Sequence, residues 1–438
     1  MGSITVKFGG SSLADASQFR KVKDIISSDA RRCFVVPSAP GKRFSGDDKI
    51  TDLLYRCHRL RQAGEDFAPV FALIRQRYEG IRQELGLGFD ITGALDEVEE
   101  AIAKGAGQDY TASRGEYLNG LLLADFLGFE FLDPKNYIFF QENGTFDDKR
   151  TNVLLSAILQ GKKNAVIPGF YGSDAFGEIR TFSRGGSDIT GAIVARAARS
   201  DLYENWTDVS GFLMADPRVV KDACPIGDIT YRELRELSYM GASVLHEDSI
   251  FPVNREGIPT NIRNTNRPED PGTMISPEGS GKNSRVITGI AGKPGFSVIS
   301  IEKAMMNSER GFGRRVLQAI EECGLSFEHM PTGIDTLCIV LSTAGLEPVR
   351  DQLIKRIVEL TEPDTLFIHD NMSIIATVGR GMVQNPGTAA RLFSALSQAG
   401  VNVRMIDQGS SELSILVGVD ESDMNRSIEA IYREFVKD

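Results

Sequence analysis

Arg184-Gly185-Gly186-Ser187-Asp188 follows a turn at Gly177 and opens an alanine-rich run, Ile189 to Arg199, that reads as a helix. Two glycines ahead of a helix leave backbone N–H groups pointing outward, and the helix dipole adds partial positive charge at that end, so the corner suits an anion. A second stretch of the same kind, Lys7-Phe8-Gly9-Gly10-Ser11-Ser12, closes the first apparent strand, Ile4 to Phe8, and also leads into a helix. One Gly-Gly pair alone is most simply a tight strand-to-helix corner. Two such corners, each with a cation and a hydroxyl residue attached, are equipment for phosphoryl transfer, where the protein mainly positions anions and neutralises charge.

At 438 residues the chain exceeds one ordinary domain, so two or three cores are expected. Apolar residues make up 41% and charged residues 25%, which speaks against wholesale disorder. The net charge of −11 gives no electrostatic reason to bind nucleic acid. An anionic substrate would therefore need local cations such as Lys7, Arg184 and Arg218. The five cysteines (Cys33, Cys57, Cys224, Cys323, Cys338) are scattered and odd in number, which argues against a disulfide framework or a zinc site and fits reducing cytoplasm. No charged leader with an apolar run opens the chain, Val6 breaks the myristoylation pattern, and no apolar run approaches membrane-spanning length. A cytoplasmic protein with no membrane partner is the expectation.

After the Lys7 turn comes a helical stretch near Ala16 to Ser27, then an apolar strand, Cys33 to Val36, ending at Pro37-Ser38-Ala39-Pro40-Gly41. Strand, glycine turn, helix, strand begins an α/β layer with a largely parallel sheet, whose ligands gather beyond the strands' carboxyl ends. Lys7, Gly9, Gly10 and Ser38 all fall at such ends. Ile50 to Leu127 reads as mainly helical with a break near Gly86-Leu87-Gly88. Within it, Ser113-Arg114-Gly115-Glu116 leaves Glu116 as either a first-turn helix acid or a site residue. Strands are expected at Tyr137 to Phe140, Ala165 to Pro168 and Ile258 to Ile262, and a helical pattern at Tyr231 to Phe251 is interrupted at Gly241. Trp206 reads either as core packing or, among polar and turn-like neighbours, as a pocket rim. Asn264 to Arg285, rich in Pro, Gly, Ser and Asn, reads as a linker or domain boundary.

Beyond it lies an internal repeat with a shift of 76 residues: Ser297 matches Ser373, Gly311 matches Gly387, Arg315 matches Arg391, Gly324 matches Gly400 and Ile339 matches Ile415. A unit this small buries little alone, so the copies should pack on each other or on another chain. Neither copy carries a catalytic constellation, which suggests a catalytic front half and a sensing back half.

Neither Gly-x-x-x-x-Gly-Lys-Ser/Thr nor Gly-x-Gly-x-x-Gly after a strand forms a convincing site. The combination present, Lys7-Phe-Gly-Gly-Ser-Ser12, Arg184-Gly-Gly-Ser-Asp188, Trp206-Thr-Asp-Val-Ser-Gly211 and Asp216-Pro-Arg218, resembles aspartate kinase of the amino-acid kinase superfamily over essentially the whole chain. The repeat is similar to that family's tandem ACT regulatory domains. The resemblance implies a three-layer α/β kinase domain at 1–288 and two α+β ferredoxin-like ACT domains at 289–366 and 367–438. It also implies phosphorylation of the L-aspartate side-chain carboxylate by ATP with Mg2+. With nothing after the second copy, no fused dehydrogenase is expected.

By the same resemblance, Lys7 and Asp188 are catalytic, Lys7 against the transferring phosphoryl and Asp188 orienting it and helping to organise magnesium. Gly9, Gly10 and Ser11 would hold phosphate oxygens, and Thr207, Asp208, Leu213, Arg218 and Ser243 would lie on the nucleotide side. Leu213 and Ser243 depart from the tyrosine and lysine that many members of the family carry. Arg184 suits the α-carboxylate of aspartate and Glu116 its ammonium, with Ser38, Thr51 and Ser187 adding neutral hydrogen bonds. Lysine, threonine or both would bind at an ACT interface near Met306, Asn307, Ser308, Gly311, Phe312 and Glu328, in a homodimer or homotetramer. Glu328 is equally readable as a solvated strand residue. Two other readings stay open: a non-catalytic amino-acid sensor of the same fold, and a kinase of another amino-acid carboxylate.

Overall fold

A computed structural model describes residues 2–183, 185–242, 247–279 and 285–436. The chain divides into two compact units, one formed by Met1–Phe212, Pro225–Leu234 and Ser243–Asn283, the other by Leu213–Cys224, Arg235–Ala242 and Ser284–Asp438.

The first unit begins with β1 (Ile4–Phe8), buried along its whole length, and α1 (Ala16–Ser27). Asp15 caps α1 by accepting from the Gln18 N–H at 3.0 Å, and Phe19, Val22, Ile25 and Ile26 fall on one buried face. β2 (Arg32–Pro37) follows, then four helices: α2 (Ile50–Gln62), α3 (Ala68–Leu85), α4 (Ile91–Ala103) and α5 (Gln108–Leu127). Next come β3 (Glu130–Phe131), α6 (Asp148–Leu159), β4 (Ala165–Val166), the hairpin β5 (Tyr171–Ser173) with β6 (Ile179–Thr181), α7 (Gly186–Ala197) and β7 (Leu202–Thr207). β8 (Asp228–Thr230), α8 (Tyr231–Tyr239, which groups with the second unit from Arg235 on), α9 (Phe251–Arg255), β9 (Thr260–Asn264) and β10 (Thr273–Ser276) complete the series. Eight strands form one sheet in the order β3-β4-β2-β1-β7-β9-β10-β8, parallel between all neighbours except β9 and β10.

Two expectations change and one open reading is settled. Tyr137 to Phe140 is no strand: Phe139 and Phe140 make only isolated bridges, to Ser173 and Phe146, after a 3-10 turn at Pro134–Asn136. The stretch read as a linker or domain boundary contains β10, whose Thr273 and Ile275 are buried between β8 and β9, and the two units part near its end. Gly272 enters that strand at φ 70°, so close to β9 that a Cβ there would lie 2.0 Å from the Ile262 carbonyl oxygen. Trp206 is core, not rim, at 1% exposure, stacked on Phe8 with its Nε1 donating to Glu204 at 2.9 Å. Strand alternation explains this, because Asn205 takes one face of β7 and Trp206 the other.

The second unit holds β11 (Gly289–Glu302), α10 (Phe312–Glu322), β12 (Thr336–Ser342), α11 (Thr343–Leu346), α12 (Arg350–Thr361), β13 (Thr365–Val378), α13 (Thr388–Gln398), β14 (Met405–Asp407), β15 (Ser414–Asp420) and α14 (Met424–Val436). Its five-stranded antiparallel sheet runs β12-β11-β13-β15-β14. The copies share strands: the start of β11 pairs with the end of β13, and the end of β11 with its start. The repeat therefore closes into one sheet.

Candidate active site

Parallel pairing sets Lys7 of β1 beside Val36 on one side and Asn205 of β7 on the other. The Lys7 side chain, 7% exposed, reaches Asp188 Oδ1 at 2.5 Å and donates to Asn205 Oδ1 at 3.3 Å. Asn205 Nδ2 donates to the same Asp188 oxygen at 2.7 Å, closing a three-membered network. Asp188 is the third residue of α7, which starts earlier than its alanine run because Gly185 at φ 59° caps it. The Tyr203 hydroxyl donates to the Asp188 carbonyl at 3.0 Å, and a Cβ on Gly191 would lie 2.4 Å from that phenol oxygen, so α7 sits against β7 only with glycine there. The two glycine corners thus bring a lysine and an aspartate to one point.

Beyond Lys7 the chain turns through a 3-10 segment at Gly10–Leu13. Gly9 departs from expectation: its N–H donates to the Trp206 carbonyl at 2.9 Å, extending the β1–β7 ladder one residue, so this amide is engaged in the fold. Gly10 and Gly41 touch back to back, with the Gly41 N–H donating to the Gly10 carbonyl at 2.8 Å. A Cβ on Gly41 would meet Gly10 C at 2.6 Å. Arg77, buried on α3, ties the same loops by donating to the Gly41 carbonyl at 3.0 Å and to Asp47 Oδ2 at 2.6 Å.

Ser38 follows the end of β2, with its N–H donating to the Phe8 carbonyl at 3.0 Å. Against this loop lies α5, and Glu116 is a mid-helix residue of it rather than a first-turn acid. Only 4% exposed, Glu116 faces the Ala39 backbone, and burial pushes its carboxyl up to about 8. Thr51 is part-buried in the first turn of α2, whose Ile50 N–H donates to the Pro40 carbonyl at 3.2 Å. Ser187, buried at the start of α7, packs on Gly169, whose own N–H donates to the Pro37 carbonyl at 3.0 Å. Ser38 and Glu116 therefore gather at the loop after β2, and Gly169 carries Ser187 to the end of that strand.

Arg184 and Ser243 lie outside the described residues. Thr207 ends β7 and donates to its neighbour Asp208 at 3.2 Å. Leu213 and Arg218 belong to the segment that groups with the second unit. Arg218 is 87% exposed, with two of its nitrogens on the Asp216 carboxylate, the shorter contact at 2.6 Å. In the second unit, Met306, Asn307 and Ser308 form a 3-10 turn with Met306 buried, and the Asn307 N–H donates to the Ile334 carbonyl at 3.2 Å. Gly311 at φ 80° caps α10 ahead of buried Phe312. Glu328 accepts from the Tyr239 hydroxyl, so it has a protein partner.

Asn205 was missed in the sequence, where it is only a polar residue before Trp206. Its signal appears once β1 and β7 are known to be neighbours. Among the described residues no helix is long and apolar enough to cross a membrane, and no group of three or more His, Cys, Asp or Glu is placed to hold a metal.

The amino acid kinase family matches residues 3–264, and an ACT domain matches residues 375–435. Aspartokinase 3 of Bacillus subtilis is 39% identical, covering 98% of this chain and 98% of its own. The crystal structure of Clostridium acetobutylicum aspartate kinase shares 51% identity at a TM-score of 0.89, covering 99% of this chain and 100% of that one. Escherichia coli aspartokinase III, in complex with aspartate and ADP, shares 25% at a TM-score of 0.75, with 99% of each chain covered. With residues 3–264 matched and the relatives aligned end to end, the chain belongs to the amino acid kinase family, among its aspartokinases.

Proposed function

We propose that the protein transfers the γ-phosphoryl group of ATP to the side-chain carboxylate of L-aspartate, giving 4-phospho-L-aspartate, under feedback through its ACT region. The observation that carries this is the Lys7–Asp188–Asn205 network, with Lys7 and Asn205 buried and Asp188 part-exposed, where the two glycine corners converge. A carboxylate oxygen forms the new bond to phosphorus as the bond to the bridging oxygen breaks, and ADP leaves with the electron pair. Both reactants are anions, so the step needs a fixed cation at the transferring group. Lys7 supplies it and Asp188 orients it. The turn at Gly9, Gly10 and Ser11 bounds the phosphate side, with Thr207, Asp208, Leu213 and Ser243 toward the nucleotide and Arg218 a phosphate contact if it leaves Asp216.

On the acceptor side, Arg184 takes the α-carboxylate, Glu116 the ammonium, and Ser38, Thr51 and Ser187 give neutral hydrogen bonds. Mg2+ usually relies on one or two carboxylates plus substrate phosphates. Part-exposed Asp188 fits that demand, and the ion would help neutralise the triphosphate.

The catalytic part is assigned to 1–288 and the regulatory parts to 289–366 and 367–438, in a cytoplasmic homodimer or homotetramer. Lysine, threonine or both would act near Met306, Asn307, Ser308, Gly311, Phe312 and Glu328. The test is a coupled ADP assay with aspartate, glutamate and N-acetylaspartate as acceptors, repeated with added lysine and threonine. Turnover confined to aspartate and lowered by an end-product amino acid supports the assignment. Equal turnover with glutamate contradicts it.

A further inference from the structure

The peptide group between Ser38 and Ala39 is faced by two side chains of one helix, Asn119 and Glu116. Asn119 Nδ2 donates to the Ser38 carbonyl at 2.6 Å, and the Glu116 carboxyl lies beside the Ala39 backbone. These two side chains stand three residues apart on α5, hence on one face. Asn119 is fully buried at 0% exposure. Each side chain keeps one oxygen, Glu116 Oε2 and Asn119 Oδ1, buried and without a hydrogen-bond partner among the described residues. The orientation of the Asn119 amide is fixed, because a carbonyl can only accept and so must face its nitrogen. Buried acceptors left unmade are costly, and such a pair calls for a ligand with several donors on one atom.

We infer that Asn119 is a second specificity-determining residue for the acceptor amino acid, its Oδ1 joining Glu116 Oε2 in taking hydrogens of the substrate's α-ammonium. This deepens the aspartate kinase reading and rests on it. One acceptor leaves the other N–H groups of an ammonium unpaired in a buried site, whereas two at different points fix its direction. Asn119 also holds the Ser38 carbonyl, so the residue that recognises the ammonium also positions a serine of the acceptor side.

The test compares L-aspartate with succinate, which lacks only the ammonium, by calorimetric titration of the full-length protein in the presence of ADP. Asn119→Ala is expected to weaken aspartate binding about 10- to 100-fold, the loss of a hydrogen bond to a charged group. Succinate binding should barely change. Asn119→Ser, whose hydroxyl can still accept, should recover part of the aspartate loss. If Asn119→Ala does not fold, the aspartate-to-succinate ratio in Asn119→Ser reads the same quantity. An equal loss for both ligands assigns Asn119 to the loop alone and overturns the inference, as does unchanged aspartate binding. Wild-type protein that binds neither ligand overturns the aspartate kinase reading itself, and the inference with it.

Discussion

Glu116 and Asn205 illustrate how much single side chains at this site depend on their partners. Unperturbed, the Glu116 carboxyl would titrate near 4.5, and in the fold it is pushed up to about 8 by burial. Between those values the folded protein keeps a proton that the unfolded chain has released, so stability present below pH 4.5 is lost as pH rises toward 8, by at most about 5 kcal/mol. Glu116→Gln removes that slope. Its melting temperature relative to wild type should therefore climb from pH 5.5 to pH 8.5 in ligand-free protein, measured by calorimetry. A constant offset across that range would show that Glu116 is not a titrating burden. Asn205 bridges Lys7 and Asp188, so Asn205→Leu leaves the lysine to Asp188 alone while keeping the branched shape. A fall in kcat of about 10- to 100-fold is expected, the effect of one lost hydrogen bond to a charged group. Retained kcat would limit Asn205 to packing.

The helices and strands around these residues are fixed by close approaches that admit no larger side chain. Gly41 meets the Gly10 backbone, and Gly191 lies under Tyr203. Gly191→Ala should cost about 1–3 kcal/mol through overpacking and shift Asp188 with α7. Thermal unfolding and kcat should fall together, and an unchanged midpoint would mean that Tyr203 moves aside freely. Arg77 and Asp47 form a buried pair, 5% and 9% exposed, beneath the loops at Gly10 and Gly41. Arg77→Met leaves Asp47 with only the half-exposed Arg43 and should destabilise by about 3 kcal/mol. A neutral effect would show that Arg43 suffices.

These elements also show what sequence makes visible. β1, α1 and the two glycine corners are legible because their signals are local: an apolar run, an Asp15 cap, a glycine pair. β10 is hidden because four residues, Thr-Met-Ile-Ser, between glycine and proline look like a loop until β8 and β9 flank them. Asn205 and Asn119 are hidden because their roles come from register and from a loop 81 residues away.

Across the whole chain, the 76-residue shift revealed two similar copies, yet not that β11 and β13 each serve both halves of one sheet. Exchange of strands is a long-range fact with no local signature. It also means that neither copy completes its share of that sheet without the other, in keeping with regulation acting on the pair. The claim on which all of this rests is chemical: a buried lysine, oriented by one aspartate, offsets the repulsion between a triphosphate and an amino-acid carboxylate. ADP release with saturating aspartate, compared among wild type, Lys7→Ala and Asp188→Ala, tests it most directly. We expect turnover in the wild type and a loss of about 100- to 1,000-fold in either variant, the size of effect seen when one preorganised electrostatic partner is removed. Turnover within about tenfold of wild type in a folded Lys7→Ala protein, a barrier change of only 1.4 kcal/mol, would contradict it.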